Sequence, residues 1–451
     1  MTPRLDRTRP PVTPPLQIHR LPAVDEFRLS NGLTLLLVDD GRFPLTHLRL
    51  GFHAGARFDP APLAGLSELT AQLLKEGTKT RSARRFAEEV ASIGGTLEAR
   101  STPDFLIVSG SALSEHTATL LELLADMTRQ ACFPEEEVEL RKQNRLQELA
   151  HERSLPDVVA SERLCRLVFG DHPYARLLPE AASIRRIGRD ELVAFRSSLL
   201  RPQNAVLVLV GPLGDRDRLV NTIESHFGDW QPQATPEPAF AEFPEPARSV
   251  VLVDRKDSVQ FDISAGRRTV NRTHPDYFPL LVANTVLGSG ASSRLFRILR
   301  EQMGFGYDVH SRLEPRRESA LFSAGTQVRP EVVAAALEAL LDQLRSLAEE
   351  PVCAEELETA HNFLTGTFAI SLETPGALAG QLLSRKLNGL PDDYLDTFVP
   401  RVRAVSASQV RAAAQRYFDP ESLAIVLVGD ASRLAGQLDV VGPLTIEQVA
   451  P

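Results

Sequence analysis

Ile184–Gly211 reads IRRIGRDELVAFRSSLLRPQNAVLVLVG, and Val402–Gly429 reads VRAVSASQVRAAAQRYFDPESLAIVLVG. At a constant offset of 218, Ile187 meets Val405, Pro202 meets Pro420 and Gly211 meets Gly429. Each stretch predicts a helix of about 12 residues, a proline turn and a short apolar strand closed by glycine. The openings of the two halves also correspond. Gly32–Asp40 (GLTLLLVDD) resembles Ser249–Lys256 (SVVLVDRK), and alternating stretches follow at His47–His53 and Val259–Ala265. Alternation implies strands with one buried face. Helical periods come next, at Leu63–Lys75 and Phe278–Leu287. The chain is an internal duplication. The expected fold is α+β: two tandem, similar domains, each a mainly antiparallel sheet with helices packed on one face.

Prolines mark the divisions. Pro232, Pro236, Pro238, Pro244 and Pro246 punctuate residues 230–248, which reads as an extended linker because proline removes donors and disfavours helix before it. Pro3, Pro10, Pro11, Pro14 and Pro15 fall in residues 1–24, an N-terminal extension. The expected domains are then 25–229 and 249–440, with 441–451 as a tail.

Of the 451 residues, 43% are hydrophobic and 24% charged, which excludes wholesale disorder. Fifty Lys and Arg against 59 Asp and Glu leave a formal charge of −9. Without a basic block the chain lacks the electrostatic footprint of a nucleic-acid binder, so no nucleic-acid partner is expected. No apolar run reaches the ~18–20 residues of a membrane span, so no membrane partner is expected either. Residues 1–24 hold no apolar signal core, and the expected location is cytoplasmic, with a periplasmic one as the alternative. Cys132, Cys165 and Cys353 stand in separate contexts, which excludes a disulfide framework and a cysteine zinc knuckle. Each reads as small buried filler.

Several landmarks are similar to the pitrilysin/insulinase-type metallopeptidases, a superfamily that includes mitochondrial processing peptidase and bacterial two-subunit relatives. Gly65-Leu66 and Lys75-Glu76-Gly77-Thr78 resemble the surroundings of that family's HxxEH helix. Gly94–Ala99 resembles its GGxxNA strand, and Phe133–Val138 and Gly170–Tyr174 resemble later landmarks. In that family two histidines one helical turn apart hold zinc, the glutamate between them polarises water, and a distant glutamate completes the ligand set. Counted back from Gly77-Thr78, the histidine positions fall on Glu68 and Gln72 and the catalytic glutamate on Ala71. The distal ligand falls on Gln147 or Glu148, with Glu148 preferred for its spacing to Pro156. With neither histidine nor the catalytic glutamate in place, no metal is assigned. Glu68 and Gln72 read as a polar helix face opposite Leu66, Leu69 and Leu73, and His151-Glu152 as a solvated pair. The ten histidines include no pair three or four apart. His47 and His53 read as two polar strand residues.

The second half keeps another element of the resemblance. Leu287-Gly-Ser-Gly-Ala-Ser-Ser-Arg-Leu-Phe296 leads into a segment ending Gly304-Phe305-Gly306-Tyr307. The LRE…GxxY pattern of the relatives matches Arg300 and Tyr307, a pair that there touches substrate backbone near the scissile carbonyl. Guanidinium and phenol are both donors, and donors aimed at a carbonyl stabilise a developing oxyanion. The glycine loop, with Gly288, Gly290 and Ser292, lacks the lysine of a phosphate loop and is a candidate for substrate contact or a plain helix connection.

The resemblance implies a non-zinc subunit of a heterodimeric metallopeptidase. An HxxEH-bearing paralogue would carry the zinc, this chain none, and an extended peptide would be the substrate. Alone, the chain would be inactive. The alternative is a catalytically inactive peptide-binding or assembly protein of the same fold. A third reading, an unrelated hydrolase, finds no GxSxG elbow and no histidine beside any cysteine.

Overall fold

The computed structural model describes residues 21–236, 238–434, 437 and 444–448, so nearly all of the proline-rich N-terminal extension lies outside the described residues. In the first half, β1 (Asp25–Arg28), β2 (Thr34–Asp39), β3 (Leu45–Phe52), β4 (Thr96–Ser101), β5 (Leu106–Leu113) and β6 (Ala205–Gly211) form one sheet. Its order is β1-β2-β6-β3-β5-β4, parallel only between β2 and β6. The second half repeats the plan with β7 (Ser249–Asp254), β8 (Phe261–Thr269), β9 (Gly306–Pro315), β10 (Ala320–Val328), β11 (Ala424–Gly429) and β12 (Leu444–Gln448). Its order is β12-β7-β11-β8-β10-β9. The duplication is exact in register at its anchor, since Gly211 pairs with Asp39 and Gly429 with Asp254.

Helices follow the sequence periods. The first half holds α1 (Leu66–Leu73), α2 (Ala83–Ser92), α3 (Thr117–Gln130), α4 (Glu135–Glu152) and α5 (Pro156–Phe169). It closes with α6 (Ala181–Arg186), α7 (Arg189–Leu199) and α8 (Arg216–Phe227). The second half holds α9 (Tyr277–Gly288), α10 (Val333–Glu349), α11 (Ala354–Ile370), α12 (Pro375–Leu387), α13 (Tyr394–Arg403) and α14 (Ala407–Tyr417). A separate π-helical turn occupies Phe296–Gln302. The repeat helices are α7 and α14, each 11 residues long and each followed by a proline-initiated turn into β6 or β11. No helix among the described residues is long and apolar enough to cross a membrane.

Each sheet carries helices of its own half on one face, as the alternation requires. The opposite face is also covered, and by the other half. Helix α12 packs on β3 and β6 of the first sheet, setting Leu378, Leu382 and Leu383 in the core that contains Leu36, Val38, Val208 and Val210. Helix α5 packs reciprocally on β8 and β11, joining Ala160, Leu164 and Val168 to Val251, Val426 and Val428. Burial on both faces explains why β6 and β11 are unbroken apolar runs rather than alternating ones. The equivalent glycines Gly51 and Gly266 admit these helices. A Cβ at Gly51 would lie 2.7 Å from Leu387 Cδ1 and 2.9 Å from Leu383 Cδ1, and one at Gly266 3.1 Å from Leu164 Cδ2. Gly51→Ala is therefore expected to lower stability by about 1–3 kcal/mol by overpacking this contact, read as a lower midpoint in urea unfolding.

Two boundaries differ from expectation. Residues 441–451 were expected to be a tail, but Leu444–Gln448 forms β12, parallel to β7 at the sheet edge. It adds to the edge through the backbone ladder rather than by burying a face, since Ile446 is 56% exposed. Residues 230–248 contain no regular element where described, yet they are anchored. Trp230 is buried against Phe52 and Phe227, and Phe243 stacks near His172, Tyr174 and Phe169. Beside it the halves share a buried polar network: Asp104 accepts from Tyr174 Oη at 2.5 Å and from the Arg317 N–H at 3.0 Å, while Arg57 pairs with Asp104 and Glu318. Of the cysteines only Cys165 is buried filler; Cys132 is partly buried and Cys353 is exposed at the start of α11.

Candidate functional site

Helix α1 begins where Gly65 turns the chain at φ +97°, and the buried Asp59 holds that turn. Its carboxylate accepts from the Gly65 and Ser67 N–H groups at 2.9 Å each, satisfying donors that a helix start leaves open. Burial pushes its pKa up to about 7 against the opposing pull of those bonds. The turn orients α1 so that Glu68 and Gln72, one helical turn apart, face α4. Ala71 is buried between them in the chain.

Two arginines occupy the space beside these positions. Arg141 Nε donates to Gln72 Oε1 at 2.7 Å and its Nη2 to Glu148 Oε2 at 2.6 Å. Arg145 Nε lies 3.0 Å from Glu68 Oε1, while its Nη1 lies 2.9 Å from Glu152 Oε2 and 3.8 Å from Glu148 Oε2. Arg141, Arg145, Glu148 and Glu152 recur at helical spacing, so one face of α4 carries the whole set. The Arg145 side chain is 4% exposed. Burial alone would lower its pKa, but Glu68, Glu152 and Glu148 outweigh it and the net shift is upward. Burial raises the Glu68 carboxyl, and Arg145 offsets only part of the rise.

This arrangement corrects the sequence reading twice. Glu68 and Gln72 are not an ordinary polar helix face: Glu68 pairs with Arg145, and Gln72 accepts from Arg141. Glu152 is not a solvated partner of His151; it pairs with Arg145. The donor set does not fit zinc: an amide, an alanine and carboxylates already engaged by guanidinium groups provide no imidazole and no free ligand. Among the described residues no group of three or more His, Cys, Asp and Glu could hold a metal. Arg141 and Arg145 were missed in the sequence, although their spacing to Glu148 and Glu152 was the available signal. Glu148 faces α1 through the arginines, whereas among the described residues no hydrogen bond joins Gln147 to either of them.

The retained pair lies in the second half. The π-turn Phe296–Gln302 ends at Gly304, whose φ of +63° reverses the chain, and Tyr307 follows as the second residue of β9. Arg300 Nη1 donates to the Tyr307 carbonyl at 3.1 Å, and its Cζ sits 4.1 Å from the Tyr307 ring centre. The two residues expected to act together are therefore in contact. Tyr307 is 79% exposed. No hydrogen bond, ion pair or ring contact among the described residues joins this pair to the α1–α4 cluster.

The glycine loop divides by position. Gly288 is buried, and a Cβ there would meet the Ser311 N–H at 2.3 Å, so this glycine serves backbone packing. Gly290 is exposed at φ +101°, and Ser292 lines a cleft of about 500 Å³ with Arg297, Glu301, Glu356 and Phe363. Arg300 and Tyr307 do not line it. His47 and His53 lie on or just past β3, and His53 is held neutral. Burial, with Arg317 and Arg57 nearby, lowers its pKa to about 4, and its Nδ1 lies 3.1 Å from Arg317 Nη1.

Comparisons with known proteins agree with this architecture. Residues 37–181 match the profile described as insulinase (peptidase family M16), and residues 186–364 match the peptidase M16 inactive domain. The uncharacterized zinc protease YmxG of Bacillus subtilis is 23% identical over 412 residues, spanning 91% of this chain and 99% of that protein. The uncharacterized zinc protease Rv2782c of Mycobacterium tuberculosis is 27% identical over 378 residues, 83% of this chain and 86% of its own length. Among solved structures, a peptidase M16 inactive domain from Pseudomonas fluorescens superposes with a TM-score of 0.84 at 26% identity, covering 90% of this chain and 98% of that one. A Helicobacter pylori protease has the same fold at a TM-score of 0.85 and 19% identity, over 90% of this chain and all of its own. The two family models together match residues 37–181 and 186–364, and the chain belongs to peptidase family M16, the insulinase family, as a member without a zinc-binding motif.

Proposed function

We propose that this chain is the non-zinc subunit of a two-chain metallopeptidase, supplying Arg300 and Tyr307 to a partner that carries HxxEH. One contrast supports the reading. The ligand positions of the first half are engaged by the guanidinium groups of Arg141 and Arg145, while the second half keeps an Arg–Tyr pair in mutual contact with Tyr307 exposed. This donor pair has no oxyanion to act on within its own chain. A partner whose metal site closed over it would supply the substrate and exclude the water that otherwise weakens such bonds. Arg300 would then hold the substrate backbone and, with Tyr307, stabilise charge developing on the scissile carbonyl. An extended peptide fits because edge strands accept added strands.

The test is reconstitution. The chain is purified alone and after co-expression with an HxxEH paralogue encoded beside it, and each preparation is assayed for cleavage of an unstructured peptide. Turnover is expected only from the co-purified pair, with zinc stoichiometric to the partner chain. Cleavage by this chain alone, or a pair that binds peptide without turnover, would overturn the reading; the second result would favour a binding protein.

A further inference from the structure

Arg300 touches a second ring that the reading so far leaves unused. Its Cζ lies 4.6 Å from the centre of Phe296, one turn earlier, as well as 4.1 Å from Tyr307. Both distances fall within the roughly 6 Å range of cation–π attraction. We propose that Phe296 is a positioning residue for Arg300, fixing its guanidinium before substrate arrives; the inference rests on the function proposed above.

The local backbone supports this. Phe296–Gln302 is a π-helix, and the Met303 N–H reaches back five residues to the Ile298 carbonyl at 2.9 Å. Such turns are rare and recur at functional sites, because they give up regular geometry to place side chains. The buried Leu299 anchors the turn, while Arg297 and Glu301 face the neighbouring cleft. Phe296 and Arg300 share the side that meets Tyr307. An arginine on a flexible stem loses rotamer entropy when it is fixed. Contact with two aromatic rings restricts its guanidinium. Its in-plane N–H donors stay available, apart from the one given to the Tyr307 carbonyl. A guanidinium held between two rings is therefore confined yet still able to donate to a peptide carbonyl.

The experiment uses the two-chain assembly with Phe296→Leu, which removes the ring but keeps apolar bulk, and Phe296→Tyr, which keeps the ring. Phe296→Leu is expected to lower kcat about tenfold with KM changed less than about twofold, and Phe296→Tyr to restore most of the rate. In an Arg300→Ala background Phe296→Leu should have no further effect, since the ring acts through the arginine. Equal losses in both Phe296 variants, or an undiminished loss in the Arg300→Ala background, would show general packing and overturn the inference. A second readout needs no partner. In the isolated chain with isotope-labelled arginine, the Arg300 Nε–H resonance should shift in Phe296→Leu and stay near its wild-type position in Phe296→Tyr. An unmoved resonance in Phe296→Leu overturns the positioning role. A moved resonance with no effect of Arg300→Ala on turnover overturns the proposed function instead.

Discussion

Arg145→Leu is expected to lower folding stability by about 3 kcal/mol, measured as a fall in the midpoint of urea unfolding at unchanged slope. Removing one partner of a buried ion cluster typically costs about 3–5 kcal/mol, mainly because the remaining charges stay desolvated. The low end applies because Glu68, Glu152 and Glu148 are 32%, 35% and 45% exposed and can partly rehydrate. Arg141, with a side chain 23% exposed, should matter less, at about 1 kcal/mol for Arg141→Leu. The Arg145→Leu deficit should shrink on acidification. Glu68 already has a raised pKa, and losing its cation raises it further, so the folded state binds the proton more tightly than the unfolded chain. That contribution is fully present at low pH and is lost as pH rises through the folded pKa. A deficit that is constant with pH, or absent, would mean that Arg145 does not bear the load between α1 and α4.

Arg300→Ala, in the reconstituted two-chain assembly, should lower kcat by about 10²–10³-fold, the range seen when one donor to a developing oxyanion is removed. Tyr307→Phe should cost less, because a neutral hydroxyl contributes a weaker bond than a guanidinium. Neither change should move folding stability by more than about 0.5 kcal/mol. Tyr307 is 79% exposed, and the Arg300 contacts are local. The separation is diagnostic. If both variants unfold like wild type and cleave like wild type, the pair has no part in turnover; if they lose stability instead, it is a structural contact.

Much of this was legible in the sequence, for physical reasons. The repeat is carried by α7–β6 and α14–β11, where a helix, a proline turn and a glycine-closed strand leave strong local signals. Arg300 and Tyr307 stand out through the LRE…GxxY resemblance rather than through spacing, and the Gly304 turn is what brings them into contact. The exchange of α5 and α12 was not legible, although the unbroken apolar runs of β6 and β11 required cover on both faces. Amphipathic periodicity reports that a helix buries a face, not which sheet receives it. The arginine cluster was missed because it joins α1 to α4 across some 70 residues. Glu68 and Gln72 were judged within their own helix, where a polar stripe implies solvent. Phe296 stands in the motif with no visible role, because nothing in the spacing announces a π-turn.

The reciprocal exchange of α5 and α12 also sets a schedule for biosynthesis. When β6 leaves the ribosome, one face of its Val206–Val210 stretch has no cover until residues 375–387 follow. Translation at roughly 5–20 residues per second makes that interval on the order of ten to thirty seconds. The nascent N-terminal portion must wait with a greasy sheet surface bare, so maturation of this polypeptide depends on whatever shields that surface until its C-terminal counterpart arrives.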